Sequence, residues 1–341
     1  MSHDPREGRD PSLSPPVEWV PALGCWCVFE TGAITAILKS TEFVSKDFAE
    51  WHRALGKVGI DCSSVIQILD HVASANEGKR HAEIRRDAAQ VIAANAGSTK
   101  EVVATAVTKL VPTLCRAGAS VDLVREIIQP VCDTLFEQLL GARCPAQPDK
   151  GVSASQVFDL YLSLTWRKEI ISRADALLAA YSAARDGLTT SPDYATSLRI
   201  LGYDSIVGSL GSSILHVLKQ APKRQLCDLP FPQALPKTGV PYVERFATKD
   251  CIVGDASIKK GDRLRLYLDP GAAHNGADNG ACYFGRGRHS CLGEDLSNWL
   301  WRTLTVELAR LPLYCTIESE VRRKPDWVFN YYSNIMVRFH A

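Results

Sequence analysis

The chain has 341 residues, of which 46% are hydrophobic and 23% are charged, and its formal net charge is +1. This composition is typical of a globular protein with a sizeable core and excludes a disordered or collagen-like chain. A charge so close to neutral indicates neither a nucleic-acid partner nor attraction to a membrane surface, and no run of about 20 apolar residues predicts a membrane span.

The first 16 residues, MSHDPREGRDPSLSPP, are charged and rich in proline. We expect them to form a disordered tail before one domain that spans 17–341, and the lack of a signal-peptide core predicts a cytoplasmic protein. The chain has 11 cysteines, an odd number without the spacing of a disulfide framework, which fits a reducing compartment. Cys25 and Cys27 lack a second pair at zinc-like spacing, so we expect them to be strand residues.

In the first part of the chain, CWCVFETGAITAIL (25–38) predicts an extended piece followed by a short helix. Helical periodicity continues from about 48 to 142, with breaks predicted near Gly97 and Gly118. Two more long helices are predicted over about 153–185 and 194–220.

The character of the sequence changes after residue 222. Residues 227–241 contain too many prolines for a long helix. The stretch 243–268 predicts short strands with a tight turn at IKKGD, and 269–281 reads as a solvated connector. A last helix over 291–311 and a strand over 328–340 complete a chain that is mainly α with small β regions.

The stretch YFGRGRHSCLG (283–293) carries the strongest chemical signal. Cys291 would lie at the start of a helix, where the macrodipole and free backbone N–H groups lower a thiol pKa. The glycines let the backbone approach a flat group closely, and Arg286, Arg288 and His289 can neutralise anions beside it. A thiolate, close backbone and cations together suit an iron porphyrin with two propionates.

Five residues of this stretch, Phe284, Gly287, His289, Cys291 and Gly293, reproduce the signature F-x-x-G-x-[H/R]-x-C-x-G, so the chain resembles the cytochromes P450. The resemblance implies a P450-like fold, haem b as the cofactor and Cys291 as the axial thiolate ligand of its iron. The alternative is a chance buried cysteine at a helix start.

Three residues elsewhere extend the resemblance. His81 and Arg85 match the H-x-x-x-R of the family's C helix, and Arg245 matches the arginine of the strand that follows the K helix. The resemblance implies that all three, together with His289, contact the haem propionates. The alternative for the first two is a solvated, charged helix face.

The stretch LGYDS (201–205) aligns with the I-helix motif [A/G]-G-x-[D/E]-T, with Ser in place of Thr and Leu201 in place of a small residue. In the family this acid and alcohol relay protons to bound dioxygen, which would make Asp204 and Ser205 catalytic. An Asp and a Ser on the solvent face of an ordinary helix are the alternative.

The chain departs from the family at the K helix, where the motif E-x-x-R is expected and QALP (233–236) stands instead. Both charged residues are absent, and Pro236 is poorly compatible with a helix interior. The chain is also short, so we expect a fold condensed in the F/G, J/K and meander regions. We therefore expect that the support of the cysteine loop and the cover over the substrate pocket both differ from those of the family.

The resemblance implies a haem-thiolate oxidoreductase that oxidises, most commonly by hydroxylation, a small specialised metabolite with O2 and electrons from a ferredoxin and its reductase. The ferredoxin would dock on a face made basic by Lys79, Arg80, Arg86, Arg286 and Arg288. Dehydration, rearrangement or peroxide-driven chemistry, and a non-catalytic accessory module, are the alternatives. A protein partner or a second copy of the chain could cover the shortened roof.

Overall fold

The computed structural model describes residues 15–141, 164–269, 282–322, 329 and 332–341. Most of the predicted tail, the start of the helix predicted from residue 153 and nearly all of the connector predicted over 269–281 lie outside these ranges.

Eight α-helices form about half of the described residues: α1 Thr31–Lys39, α2 Phe48–Gly56, α3 Ser63–Leu69, α4 Gly78–Leu114, α5 Gln129–Leu140, α6 Leu164–Ala183, α7 Pro192–Gln220 and α8 Glu294–Leu308. Local signals explain where they begin. The Asp47 carboxylate caps α2, and Ser191 caps α7, where a proline occupies the first helical position. Among these helices, none is both long and apolar enough to cross a membrane.

The break predicted near Gly97 is wrong, because α4 is 37 residues long and continues through Gly97. Val103, Val107 and Val111 lie one turn apart and are fully buried. Burial of each such side chain stabilises the helix by about 1.5–3 kcal/mol, which exceeds the cost of about 1 kcal/mol for one glycine. The break predicted at Gly118, where φ is +83°, is confirmed.

The strands form three small sheets. The largest has the order β1-β2-β8-β5-β3, in which only β2 and β8 are parallel. A second has the order β4-β10-β9, and β6 pairs with β7 across a hairpin. Their bounds are β1 Val17–Val20, β2 Cys25–Val28, β3 Phe43–Val44, β4 Ser120–Asp122, β5 Tyr242–Ala247, β6 Cys251–Val253, β7 Ala256–Ile258, β8 Arg263–Tyr267, β9 Tyr314–Arg322 and β10 Tyr332–His340.

The two largest clusters of buried apolar residues pack the helices and the largest sheet. The larger lies among the helices, with the fully buried Trp301 of α8 in it. The smaller lies between α1 and the largest sheet and includes Ile34 and Leu264. Residues 282–293, the Cys loop, are in contact with α1 and lead into α8, so this loop joins the two clusters.

Candidate functional site

The Cys loop is a closed turn held by its own backbone. The Cys291 N–H donates to the Phe284 carbonyl at 2.7 Å, and the Gly285 N–H donates to the Cys282 carbonyl at 2.9 Å. Gly287 has φ +70°, and a Cβ there would lie 2.7 Å from the Leu38 carbonyl oxygen. The glycine is therefore required both by its backbone conformation and by its closeness to the end of α1.

Cys291 is exposed to solvent, although many protein atoms lie near its sulfur. Its sulfur accepts a hydrogen bond from the Gly293 N–H at 3.3 Å. α8 begins at Glu294, three residues later than predicted. Burial raises the pKa of the thiol and outweighs the lowering effect of the Gly293 N–H, so the predicted lowering of the pKa by a helix terminus is wrong.

His81 of α4 and His289 of the Cys loop lie against each other, with 4.3 Å between ring centroids. Both imidazoles are buried, and neither His81 Nε2 nor His289 Nδ1 has a hydrogen-bond partner among the described residues. Burial, with the charges of His289 and Arg85, lowers the pKa of His81 to about 4. A solvated helix face is therefore the wrong interpretation of His81.

Two arginines predicted from the sequence lie in the same region. Arg85 Nη1 donates to the Ser290 carbonyl at 2.6 Å, next to Cys291 in the chain. Arg245 on β5 is buried and Nη1 donates to the Glu244 carbonyl at 2.7 Å. Burial lowers the pKa of Arg85 and lowers that of Arg245 to about 10, so both remain cationic near neutral pH.

Glu77, immediately before α4, is a site residue that the sequence reasoning missed. Its carboxylate accepts from the Ser45 N–H at 2.7 Å, from Arg288 Nε at 3.1 Å and from His289 Nε2 at 3.2 Å. Burial alone would raise the pKa of Glu77, but these donors lower it well below its usual range. A glutamate preceding the H-x-x-x-R stretch was the only signal in the sequence.

Arg288 does not belong to an exposed basic face, which corrects the prediction for that residue. Besides Glu77, its guanidinium donates to the Ser40 carbonyl at 2.7 Å and to the Phe43 carbonyl at 2.8 Å, and only 25% of its side chain is exposed. Lys79 and Arg86 are exposed, at 92% and 65% of their side chains. The basic surface predicted from the sequence therefore includes Lys79 and Arg86 but not Arg288.

These residues fit a haem. The unpartnered Nε2 of His81 is buried, where an unsatisfied polar group costs about 1–3 kcal/mol, so an anionic oxygen of a ligand that accepts from this nitrogen would compensate for it. The cations Arg85 and Arg245 lie in the same region, and the thiol of Cys291 is open to a ligand. The donor set combines a soft sulfur with anion-binding nitrogens, as a metalloporphyrin with carboxylate side arms requires.

The predicted catalytic pair lies in the middle of α7. Asp204 is 1% exposed, and its negative charge opposes the lowering of the pKa of Arg173 on α6 by burial and by Arg199. The Ser205 hydroxyl lies 2.9 Å from the Leu201 and Gly202 carbonyl oxygens of its own helix. The interpretation of Asp204 as a solvent-face residue is therefore wrong, and the Ser205 hydroxyl bonds locally.

A coil of residues 229–241 runs against α7 and α8 in place of the expected K helix. Every residue between α7 and β5 is described, and the only helical turn there is the 3-10 turn Leu226–Asp228. The Gly239 N–H donates to Ser209 Oγ at 2.8 Å, and a Cβ on Gly239 would lie 2.6 Å from the Ser205 carbonyl oxygen. The coil thus touches the helix turn that carries the predicted catalytic pair.

No protein-family model and no curated protein sequence matches the chain, whereas solved structures do. P450BioI, in complex with an acyl carrier protein ligated to hexadec-9Z-enoic acid, is 17% identical with a TM-score of 0.74, over 95% of each chain. P450 RauA, complexed with a biosynthetic intermediate of aurachin RE, is 16% identical with a TM-score of 0.68, over 96% of this chain and 93% of that one. CYP109B1 from Bacillus subtilis is 16% identical with a TM-score of 0.66, over 95% of each chain.

The chain has a cytochrome P450 fold. The prediction of a mainly α, P450-like architecture is confirmed. Within this P450 fold, the structure brings His81, Arg85, His289 and Cys291 together through direct contacts or chain adjacency, and Arg245 affects the pKa of His289. Phe284 is partly buried against the large apolar cluster.

Proposed function

We propose that the protein is a haem-thiolate oxidoreductase in which Cys291 is the axial ligand of haem b. The observation that carries this proposal is the Cys loop itself. It presents an accessible thiol, with a backbone N–H on the sulfur, beside two buried histidines that each have an unpartnered nitrogen. The P450 fold around that loop supports the same conclusion.

The proposal assigns roles to the haem and to residues in and near the Cys loop. The bound haem would supply thiolate-assisted oxygen activation, which the protein residues alone lack. The Gly293 N–H donates to the sulfur and limits its negative charge. His81, His289, Arg85 and Arg245 would hold the propionates, while Gly287 lets the loop lie against α1 and Phe284 anchors it in the core.

The reaction proposed is oxidation, by hydroxylation, of a small specialised metabolite with O2 and electrons from a ferredoxin-type partner. Asp204 would relay protons to the reaction, because it is a buried acid on the α7 turn where the family carries its acid. Lys79, Arg80 and Arg86 would attract an acidic ferredoxin to the face near the start of α4.

The absorption spectrum of the reduced, carbon monoxide-treated protein tests the proposal. Wild type is expected to show the red-shifted Soret band of a thiolate–carbonyl complex, and Cys291→Ala is expected to lose it. Cys227→Ala is the matched control, because Cys227 is also exposed but lies in the turn after α7. A wild type without the band, or a band that survives in Cys291→Ala, would refute the assignment.

A second function, haem-thiolate chemistry that needs no external electrons, is favoured by one observation. The Ser205 hydroxyl bonds within its own helix, and Gly239 lies against the same turn, so the alcohol of the usual proton relay is engaged locally. Dehydration, rearrangement or peroxide-driven oxidation would tolerate this arrangement. Turnover that proceeds without NAD(P)H, a ferredoxin and its reductase would select this function over monooxygenation.

The substrate is proposed to reach the site on a protein partner. P450BioI, which is similar over 95% of both chains, forms a complex with an acyl carrier protein that carries a fatty acid. A carrier would also compensate for a shortened roof over the substrate. Comparison of turnover of a carrier-bound acyl chain with the free acid tests this: a preference for the free acid would contradict it.

A further inference from the structure

One carboxylate and one guanidinium make several of the hydrogen bonds that attach the Cys loop to the rest of the protein. Glu77 accepts three N–H donors, from Ser45, Arg288 and His289. Arg288 donates to three acceptors, which are Glu77 and the Ser40 and Phe43 carbonyls. We call this set the Glu77–Arg288 bracket.

The bracket joins segments that are far apart in the chain. Glu77 and Arg288 are separated by 211 residues, and Arg288 and Ser40 by 248. It connects the start of α4, residues 40–45 and the Cys loop at Arg288 and His289, three and two residues before Cys291. Gly287, pressed against Leu38, brings the loop close enough for the Arg288 fork to reach both carbonyls.

The coil that replaces the K helix does not supply the same support. Besides the bond from Gly239 to α7, its hydrogen bonds reach α8, from Trp301 Nε1 to the Pro232 carbonyl at 2.8 Å and from the Leu235 N–H to Asn298 Oδ1 at 3.1 Å. Its contact with the Cys loop is the bond from the Tyr283 hydroxyl to the Pro236 carbonyl at 2.9 Å. The coil carries no carboxylate–arginine pair at QALP, so charged support of the loop has to come from elsewhere.

We propose that Glu77 is the positioning residue of the Cys loop and that its bracket with Arg288 takes over the structural task for which other members of the P450 superfamily use E-x-x-R. Glu77 fixes the Arg288 fork and the His289 ring at once, which sets the direction of the loop that carries the thiol. This inference rests on the proposed haem site for its effect on ligation, but the effect on the loop is independent of haem.

The chemistry of the bracket requires these residue types. A guanidinium has five N–H donors in a planar fork and can reach three acceptors in different directions, whereas a lysine ammonium is a point charge on a flexible stem. A carboxylate accepts several donors with both oxygens, whereas a glutamine amide offers one acceptor oxygen and would oppose an N–H donor with its NH2 group. Glu77→Gln therefore releases either Arg288 or His289 while it preserves the size of the side chain.

Hydrogen–deuterium exchange on the full-length protein tests the bracket. In Glu77→Gln, the amides of Gly285, Ser290 and Cys291 are expected to exchange about tenfold faster than in wild type, because loop opening no longer breaks a charged contact. Glu83→Gln is the control: it removes an acid from α4, the helix that Glu77 precedes, but Glu83 pairs at 3.8 Å with a Lys79 that is 92% exposed. Unchanged exchange in Glu77→Gln would overturn the inference.

Two further measurements separate the bracket from a general loss of stability and from the proposed function. In the reduced carbonyl complex, Glu77→Gln is expected to lower the fraction with the thiolate band, while Glu83→Gln leaves it at the wild-type value. If Glu77→Gln does not fold, Arg288→Lys serves instead and must also speed loop exchange. A wild type without the thiolate band refutes the haem assignment, and the exchange result still decides the bracket.

Discussion

The two sides of the proposed haem site are built in different ways. On the Cys-loop side, Glu77, Arg85 and Arg288 contact residues more than 30 positions away in the chain. On the α7 side, the Ser205 hydroxyl bonds to carbonyls three and four positions earlier in its own helix. The conformation of the Cys loop therefore depends on contacts with distant parts of the chain, whereas the Ser205 hydroxyl of the α7 motif is held by bonds within its own helix.

The largest expected effect is that of Gly287→Ala on the Cys-loop side. The new Cβ would lie 2.7 Å from the Leu38 carbonyl oxygen at φ +70°, so strain and overpacking should lower the free energy of unfolding by about 3 kcal/mol. Urea unfolding and the carbonyl spectrum measure the two consequences, destabilisation and loss of the thiolate band. A stable variant with the full band would show that the loop tolerates displacement from α1.

On the α7 side, Asp204→Asn is expected to lower turnover about a hundredfold with little loss of haem content, because general-acid groups contribute at least that factor. Haem content per chain and turnover under the same conditions provide the measurement. Equal losses of both would indicate that Asp204 supports the fold through the neighbourhood of Arg173 instead of handling protons.

A smaller effect comes from protonation of His81 in the haem-free protein. Burial depresses its pKa from 6.5 to about 4, so the unfolded chain takes up this proton first as the pH falls. Stability present above pH 6.5 is therefore lost progressively between about pH 6.5 and 4. Urea unfolding across this range should show a smaller loss in His81→Leu than in wild type, and parallel curves would contradict the prediction.

The smallest effect is expected for Ser205→Ala. Its hydroxyl bonds only carbonyls of α7 among the bonds described, and such back-bonding contributes little, so the free energy of unfolding should change by less than about 0.5 kcal/mol. Urea unfolding compares the variant with wild type. A decrease in the free energy of unfolding as large as that expected for Gly287→Ala would show that the two sides of the site do not differ in this respect.

The sequence allowed prediction of features whose signals are close together in the chain. The strand and short helix at 25–38, the start of α7 near Ser191, the turn at IKKGD and the P450-like fold implied by the cysteine motif all rest on local patterns. The P450 fold was reached from five positions within ten residues, since that motif combines a ligand, a cation and glycines at fixed spacing.

Other features depended on partners that no local pattern identifies. Glu77 was missed because its partners lie 32, 211 and 212 residues away, and Arg288 was assigned to the surface because an arginine among polar residues usually lies there. The continuity of α4 through Gly97 depended on packing of its valines in the core, which outweighs glycine propensity.

The attachment of the 229–241 coil has a consequence for how this protein can vary. α8 holds the coil through backbone atoms, namely the carbonyls of Pro232 and Gln233 and the amide of Leu235. Any residue type supplies those atoms, proline excepted at the amide, so the exposed side chains of Gln233 and Ala234 are open to substitution without loss of the attachment. Mutational tolerance should therefore be high at Gln233 and Ala234 and low at Trp301 and Asn298, which makes these two coil positions suitable for diversifying the protein by directed evolution.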